Sequence, residues 1–124
     1  MQDIKLMFVE DDIVLNMAMS SSLEDLGFDV RSFYSASSAI EAIDECHYIT
    51  ALLTDIDLGK GLDGFDVARH ARKLHRHLPV VFISGTMAAH YAAHAVPGSV
   101  LLAKPCQPQQ VARALGNVIR LEAA

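Results

Sequence analysis

The sequence lacks the features that mark secreted, membrane-spanning or disulfide-stabilised proteins. It has no tryptophan and two cysteines, Cys46 and Cys106, which lie too far apart in sequence to argue for a disulfide and have no neighbouring ligands at metal-binding spacing. No apolar run approaches the roughly 20 residues of a membrane span. The N-terminus has neither the basic start nor the apolar stretch of a signal peptide. We therefore expect a cytoplasmic protein that does not associate with membranes.

Basic residues are scarce in the first half of the chain. Fourteen acids and three bases precede residue 67, giving a net charge of −11, whereas the remainder carries +6 and the whole chain −5. The bases of the second half include Arg69, Arg72, Lys73 and Arg76, whose spacing is typical of the solvated face of a helix rather than of a phosphate-binding surface. We therefore expect no direct binding of nucleic acid.

Apolar residues, by contrast, are plentiful and follow a regular order. With 124 residues, 52% of them hydrophobic, the chain can bury one core as a single domain over residues 1–124. The sequence predicts strands at Ile4–Val9, Phe28–Phe33, Tyr48–Thr54, Val80–Ile83 and Val100–Ala103. A helical pattern follows each strand, which predicts a doubly wound α/β fold with five parallel strands and helices on both faces of the sheet.

The helical segments have recognisable limits and apolar faces. The first ends at Gly27, and the second begins near Ser37, with Ser38 and Glu41 at capping-box spacing. The third begins near Asp63 or Gly64 and is ended by Pro79, the fourth is short and alanine-rich, about 87–95, and the fifth follows Pro108. The inner face of the first helix is predicted to comprise Leu15, Ala18, Met19, Ser22, Leu23 and Leu26, and that of the third Phe65, Val67, Ala68, Ala71 and Leu74.

Charged and hydroxyl side chains follow four of these strands. Glu10 and Asp11 follow the first strand, Asp55 the third, Ser84 the fourth and Lys104 the fifth. Because the carboxyl ends of parallel strands meet at one edge of a sheet, we expect these residues to converge. Carboxylates without His or Cys favour Mg²⁺, which usually completes its shell with water and phosphate oxygens. The set therefore predicts a phosphoryl site, in which Lys and Ser contact phosphoryl oxygens and a carboxylate can attack phosphorus.

Five short motifs at these positions resemble those of response-regulator receiver domains. They are Val9-Glu10-Asp11-Asp12, Leu52-Leu53-Thr54-Asp55, Asp63-Gly64, Ile83-Ser84-Gly85 and Ala103-Lys104-Pro105. The resemblance covers the whole chain and implies a flavodoxin-like fold with strand order 2-1-3-4-5. It further implies a phosphorelay role, in which a sensor histidine kinase or a histidine phosphotransfer protein phosphorylates Asp55 with Mg²⁺ as cofactor. No substrate turnover is implied beyond self-catalysed phosphorylation and dephosphorylation, and a full-length chain of this kind is a stand-alone receiver that acts on a downstream protein.

The resemblance also implies a role for each acidic residue. Asp11 and Asp55 would bind Mg²⁺ directly, Asp57 would offer its backbone carbonyl, and Glu10 would act mainly through a metal-bound water. Asp12 is expected to cap the first helix instead.

The remaining residues would contact the phosphoryl group or change conformation in response to it. Lys104 would pair with the phosphoryl group, the Lys104–Pro105 bond would be cis, and Ser84 would move towards the phosphoryl oxygens. Position 101, the second part of the switch, usually carries an aromatic residue but is Leu101 here. Because an aliphatic side chain cannot give the same two-position switch, we expect the output change in the segment 85–95.

Several alternatives stay open on the sequence alone. The loop from Asp55 to Gly64 looks one residue longer than is common and lacks the usual proline, so the chain could be an interaction module that does not depend on phosphorylation. The triplet Asp55-Ile56-Asp57 also resembles the nucleophile motif of haloacid-dehalogenase-type phosphatases. Those enzymes need an acidic metal site after their Lys, however, and only Glu122 follows Lys104. A homodimer through the fourth helix, fifth strand and fifth helix is a further alternative.

Overall fold

The fold is a five-stranded parallel sheet with helices on both faces. The structure, a computed structural model, describes residues 4–45, 49–85, 91 and 93–123. The strands are β1 (Ile4–Val9), β2 (Phe28–Phe33), β3 (Ala51–Asp55), β4 (Val80–Ser84) and β5 (Val100–Ala103), and the helices are α1 (Ile13–Asp25), α2 (Ala36–Glu45), α3 (Gly64–Leu74) and α4 (Pro108–Ala123). All neighbouring strands are parallel, in the order β2-β1-β3-β4-β5. The predicted fold class and strand order are confirmed.

The register aligns the carboxyl ends of the strands. Asp55 pairs with Ile83, and Ser84 pairs with Ala103, so β3, β4 and β5 end close to one level. Backbone hydrogen bonds continue the pairing one residue further: Ile56 N donates to Ile83 O at 3.0 Å and Lys104 N donates to Ser84 O at 2.9 Å. The sheet therefore presents its acids, hydroxyl and lysine along one edge.

Two apolar cores lie on opposite faces of the sheet. One includes apolar side chains of α2 and α3, such as Ile43 and Val67, packed beneath Met7, Leu52 and Phe82 of the strands. The other includes Leu23 of α1 and three residues of α4 (Val111, Leu115 and Val118), packed against alternate strand residues. Because helices cover both faces of the sheet, β3 and β4 are buried along their whole length and are apolar except at Thr54, Asp55 and Ser84.

The inner face of α1 differs from the predicted one. Leu23 is buried as predicted, but Asn16 and Ser20 are also buried, whereas Leu15 and Leu26 are each 47% exposed. Both sets of residues have helical spacing, so periodicity alone does not choose between them. Asn16 faces inward because two strand-end carbonyl groups accept hydrogen bonds from it, and the Ser20 hydroxyl group donates to Asn16 Oδ1.

Three smaller predictions about helices were wrong. The capping serine of α2 is Ser35, whose Oγ accepts from Ser38 N at 3.1 Å, so Ser38 lies inside the helix. Leu74, expected in the core, is 49% exposed at the last turn of α3. That helix ends at Leu74 rather than at Pro79.

Parts of two predicted elements lie outside the described residues. Tyr48, predicted to begin the central strand, is one of these residues. Ile49 and Thr50, also predicted in that strand, are described but precede β3, which begins at Ala51 and includes Asp55. Of the predicted short helix 87–95, Tyr91, Ala93 and His94 are helical and residues 87–90 and 92 are not described. Among the residues that the structure describes, no helix is both long and apolar enough to span a membrane.

Candidate functional site

The first acids lie where β1 ends beside β2. Glu10 N donates to Phe33 O at 3.0 Å, and Asp12 N donates to Glu10 Oε2 at 3.1 Å. The carboxylate of Asp12 accepts from Leu15 N at 3.1 Å, which makes it the N-cap of α1, as predicted. The turn between β1 and α1 therefore buries Glu10 and leaves Asp11 exposed at the edge of the sheet.

Lys104 holds two buried carboxylates together. Its Nζ lies 2.6 Å from Asp55 Oδ2 and 2.7 Å from Glu10 Oε1. The side chains of Asp55 and Glu10 are 6% and 2% exposed, and that of Lys104 is 25% exposed. One ammonium group thus neutralises only part of the charge of the two carboxylates and the adjacent Asp11.

The pKa values of these groups reflect that imbalance. Burial raises the pKa of Asp55 above its ordinary value, and the hydrogen bond and charge of Lys104 only partly offset the effect. Desolvation and the neighbouring Glu10 carboxyl group raise the pKa of Asp11. Burial lowers the pKa of Lys104, but its hydrogen bonds and attraction to Asp55 and Glu10 outweigh burial, and the net shift is upward. The site therefore carries more negative charge than the chain itself compensates.

The donor set fits a hard divalent cation. Carboxylate oxygens of Glu10, Asp11 and Asp55 lie within 4.8 Å of one another. They line an open pocket of about 560 Å³, together with Asp12, Leu15, Asp57, Gly59, Gly85 and Lys104. An all-oxygen set with uncompensated negative charge and room for water is the environment that Mg²⁺ prefers.

The loop between β3 and α3 folds back on Asp55. Asp57 N donates to Asp55 Oδ1 at 3.2 Å, and Gly59 N donates to Asp57 Oδ1 at 3.2 Å. Gly59 has a φ of 85°, in the region that favours glycine. At Gly64, a Cβ atom would overlap the carbonyl oxygen of Asp55 and would lie 2.9 Å from Ile56 Cα. The absence of a side chain at Gly64 therefore lets α3 begin directly against the end of β3.

The last two strands supply the other predicted residues. Ser84 ends β4 and is 5% exposed, and its backbone carbonyl accepts a hydrogen bond from the Lys104 backbone N–H. The Lys104–Pro105 bond is cis. Leu101 lies opposite Phe82 in the β4–β5 register and packs against the core that includes α2 and α3. The predicted strand-end residues thus share one edge of the sheet, while Leu101 lies three residues back along β5.

Sequence reasoning overlooked Asn16. This residue is fully buried in α1 and donates from Nδ2 to Glu10 O at 3.1 Å and to Phe33 O at 3.0 Å. A polar residue between Leu15 and Met17 gave no sign of burial, because the apolar residues around it suggested the opposite face. Only the position of two strand-end carbonyl groups reveals its role.

Comparison with known proteins relates the chain to response regulators. The family model described as the response regulator receiver domain matches residues 6–116. The chain is 28% identical over 105 residues to Nodulation protein W of Bradyrhizobium diazoefficiens and 32% identical over 81 residues to the response regulator receiver protein CpdR of Brucella abortus. These matches cover 83% and 65% of this chain, and 45% and 66% of the respective relatives. The chain thus spans from about half to two thirds of these curated relatives.

A solved structure agrees over nearly the full length. The crystal structure of a response regulator receiver protein from Sinorhizobium medicae superimposes with a TM-score of 0.93 and 31% identity, covering 98% of both chains. The family match favours a receiver over the haloacid-dehalogenase-type phosphatase that the Asp55-Ile56-Asp57 triplet also suggested. The chain belongs to the response regulator receiver domain family, the phosphoacceptor domains of two-component signalling.

Proposed function

We propose that Asp55 is the phosphoacceptor and that a phosphohistidine on a sensor kinase or phosphotransfer protein is its donor. The observation that carries the proposal is the contact of the Asp55 carboxylate with the Lys104 ammonium at 2.6 Å, beside the Glu10 and Asp11 carboxylates. A buried carboxylate next to a cation, at the mouth of an open pocket, is accessible to an incoming phosphoryl group yet shielded from bulk water.

The reaction exchanges one bond at phosphorus for another. A carboxylate oxygen of Asp55 forms the new O–P bond while the N–P bond of the donor histidine breaks, and the donor imidazole, already protonated on its other ring nitrogen, leaves as neutral imidazole. Lys104 releases Asp55 Oδ2 and pairs with an oxygen of the transferred group, and the Ser84 hydroxyl group donates to another. The N–H of Asp57, already directed at Asp55 Oδ1, orients the carboxylate. We expect no turnover of an independent substrate.

Mg²⁺ is the proposed cofactor. Asp11, Asp55 and the backbone carbonyl of Asp57 would hold it directly, and Glu10 would act through a water molecule. When bound, the ion supplies positive charge that neutralises the carboxylates and the phosphoryl oxygens.

Intact mass measurement tests the acceptor. After incubation with a small-molecule phosphodonor, the wild type should gain one base-labile phosphoryl group only when Mg²⁺ is present, and Asp55→Ala should gain none. Asp57→Asn, which keeps the backbone carbonyl and N–H, is the matched control and should still be modified. If the wild type gains nothing even from a phosphohistidine donor, the phosphorylation-independent module becomes the better hypothesis.

An apolar surface on α1 supports a protein donor. Ile13, Val14 and Met17 are 59%, 76% and 61% exposed in the first turns of the helix that follows the acidic turn. Beside them lies an apolar cavity of about 360 Å³, lined by Phe8, Leu15, Met19, Ile83, Pro105 and Cys106, with Glu10 and Lys104 at its polar side. Exposed apolar surface that borders a reactive group favours a partner that covers both at once.

Two donors distinguish the docking surface from the chemistry. Val14→Glu should reduce phosphotransfer from a phosphohistidine-bearing protein about tenfold or more, because a buried Val contributes roughly 1.5 kcal/mol to an interface. Modification by the small-molecule donor should be unchanged, and Ser21→Glu, on the exposed surface of the same helix, should affect neither reaction. Equal loss with both donors would show that the substitution disturbs the site rather than the docking.

The output is expected to involve the segment 85–95. Leu101 packs with Phe82 and Tyr91 in one core, and Tyr91 OH donates to Ser99 O at 2.5 Å. These contacts connect β4, which ends at Ser84, to the described part of that segment. Hydrogen exchange in residues 85–95 should change on phosphorylation, and an unchanged exchange pattern there would contradict this assignment.

A further inference from the structure

Asn16 is the most buried polar residue of α1. It has 0% exposure, although Val14 and Met17 beside it are largely exposed. Its Nδ2 donates to two backbone carbonyls, Glu10 O at 3.1 Å and Phe33 O at 3.0 Å, and its Oδ1 accepts from Ser20 Oγ at 3.2 Å. Burying an amide group costs desolvation free energy, and an amide that uses both of its hydrogens in hydrogen bonds has one stable orientation.

The surrounding groups determine that orientation. Backbone carbonyl groups can only accept, so the NH₂ group must face Glu10 and Phe33. The carbonyl oxygen of the amide then faces Ser20, whose hydroxyl group donates to it. Ser20 therefore fixes Asn16, and Asn16 in turn connects α1 to the ends of β1 and β2.

The connection bears on the acidic turn itself. Glu10 O belongs to the peptide group that joins Glu10 to Asp11, so the orientation of this group determines where the Asp11 side chain leaves the backbone. Glu10 N is held by Phe33 O at 3.0 Å. With Asn16 on the other side, both ends of the Glu10 backbone are fixed, while Asp11 projects into the open pocket.

We propose that Asn16 is a positioning residue for the divalent-cation site. It holds the Glu10–Asp11 peptide group so that the Asp11 carboxylate is in place before the cation arrives. The inference rests on the proposed role of Asp11 as a metal ligand. Residues that orient metal ligands without touching the metal typically contribute about 10-fold to 100-fold in metal affinity.

Direct Mn²⁺ binding, measured by the electron paramagnetic resonance of free Mn²⁺, tests the proposal on the full chain. Asn16→Leu keeps the approximate size but removes the amide, and it should raise the Mn²⁺ Kd about 10-fold. Ser20→Ala keeps Asn16 but removes the hydroxyl group that donates to its Oδ1, and it should raise the Kd about threefold, as expected for one hydrogen bond. Ser21→Ala, an exposed neighbour on the same helix, should leave the Kd unchanged.

A purely structural role gives a different result. If Asn16→Leu lowers the unfolding temperature but binds Mn²⁺ as tightly as the wild type, the proposal is overturned. If that variant does not fold, Ser20→Ala decides, and a wild-type Kd overturns the proposal.

A readout without metal separates this inference from the proposed function. In the metal-free protein, the Glu10 and Asp11 amides should exchange hydrogen faster in Asn16→Leu, or in Ser20→Ala if the former does not fold, than in Ser21→Ala. Equal exchange would refute the positioning role. A wild type that binds no Mn²⁺ would refute the metal role of Asp11, and with it the proposal for Asn16, even if exchange is faster.

Discussion

Removing the Lys104 ammonium group should expose the repulsion that it balances. In Lys104→Met the two contacts at 2.6 and 2.7 Å disappear, and the nearly buried carboxylates of Asp55 and Glu10 face one another without a cation. Met keeps most of the apolar stem, so the substitution removes charge with little loss of packing. The effect on stability therefore measures the electrostatics of the site.

The size of the effect follows from the geometry. Two unit charges at 4.8 Å, the upper limit on the separation of the carboxylate oxygens, repel by about 3.5 kcal/mol at an effective dielectric constant of about 20. One carboxyl group can take up a proton instead, which costs at most about 4 kcal/mol at pH 7 for an ordinary carboxyl group and less for Asp55, whose pKa is already raised. We expect a loss of about 3 kcal/mol, in the range found when one partner of a buried ion pair is removed.

Urea unfolding at pH 7, with and without Mg²⁺, measures the loss. Without the ion, Lys104→Met should unfold about 12 °C lower in a parallel thermal scan. Mg²⁺ at 100 times its Kd for the variant should stabilise Lys104→Met by about 2.7 kcal/mol. The same Mg²⁺ concentration should stabilise the wild type less, because there the ion competes with the ammonium group. Lys60→Met, at an exposed position in the loop beside the site, is the control and should change neither value.

Either of two results would refute this account of the charges. The first is a loss below about 1 kcal/mol without Mg²⁺, which would mean that the carboxylates do not need the cation. The second is equal stabilisation of variant and wild type by Mg²⁺, which would place the ion outside the carboxylate cluster.

Two further predictions concern the same end of β3. Burial raises the pKa of Asp55, so the stability that this shift contributes is present below the ordinary carboxyl pKa and is lost as pH rises through the folded value. In urea unfolding, Asp55→Asn should therefore gain stability relative to the wild type between pH 4 and pH 7. A growing advantage of the wild type over this range would contradict the prediction. Gly64→Ala should lose about 3 kcal/mol of stability, measured by calorimetry, because the new Cβ overlaps Asp55 O. Gly116→Ala, with open space in α4, should gain about 1 kcal/mol. Similar values for the two variants would exclude close packing as the cause.

The sheet could be predicted from sequence because its signals are local. The bounds of β1, β2 and β5 agree with the prediction, since each is a short apolar or alternating run between polar residues or turn residues. The strand ends could also be predicted, because parallel strands bring their carboxyl ends to one edge whatever the details of packing. This placed Asp55 and Lys104 at the same edge without any knowledge of distances.

The inner face of α1 could not be predicted, because the choice depends on partners distant in sequence. Phe33 is 17 residues after Asn16, and its carbonyl group becomes a reason to bury an amide only once β2 lies beside β1. The same holds for Gly64, whose contact with Asp55 depends on the path of the intervening loop. Composition and periodicity describe segments, whereas these two contacts exist only between segments.

The order of the strands along the chain has a consequence for synthesis. Lys104 lies 94 residues after Glu10 and 49 after Asp55, and β5 leaves the ribosome after the other four described strands. A nascent chain that has completed β3 therefore carries its acids without the lysine that balances them. We expect the charge cluster to become balanced only when β5 pairs with β4, so that an interrupted chain remains unable to complete the phosphoacceptor site.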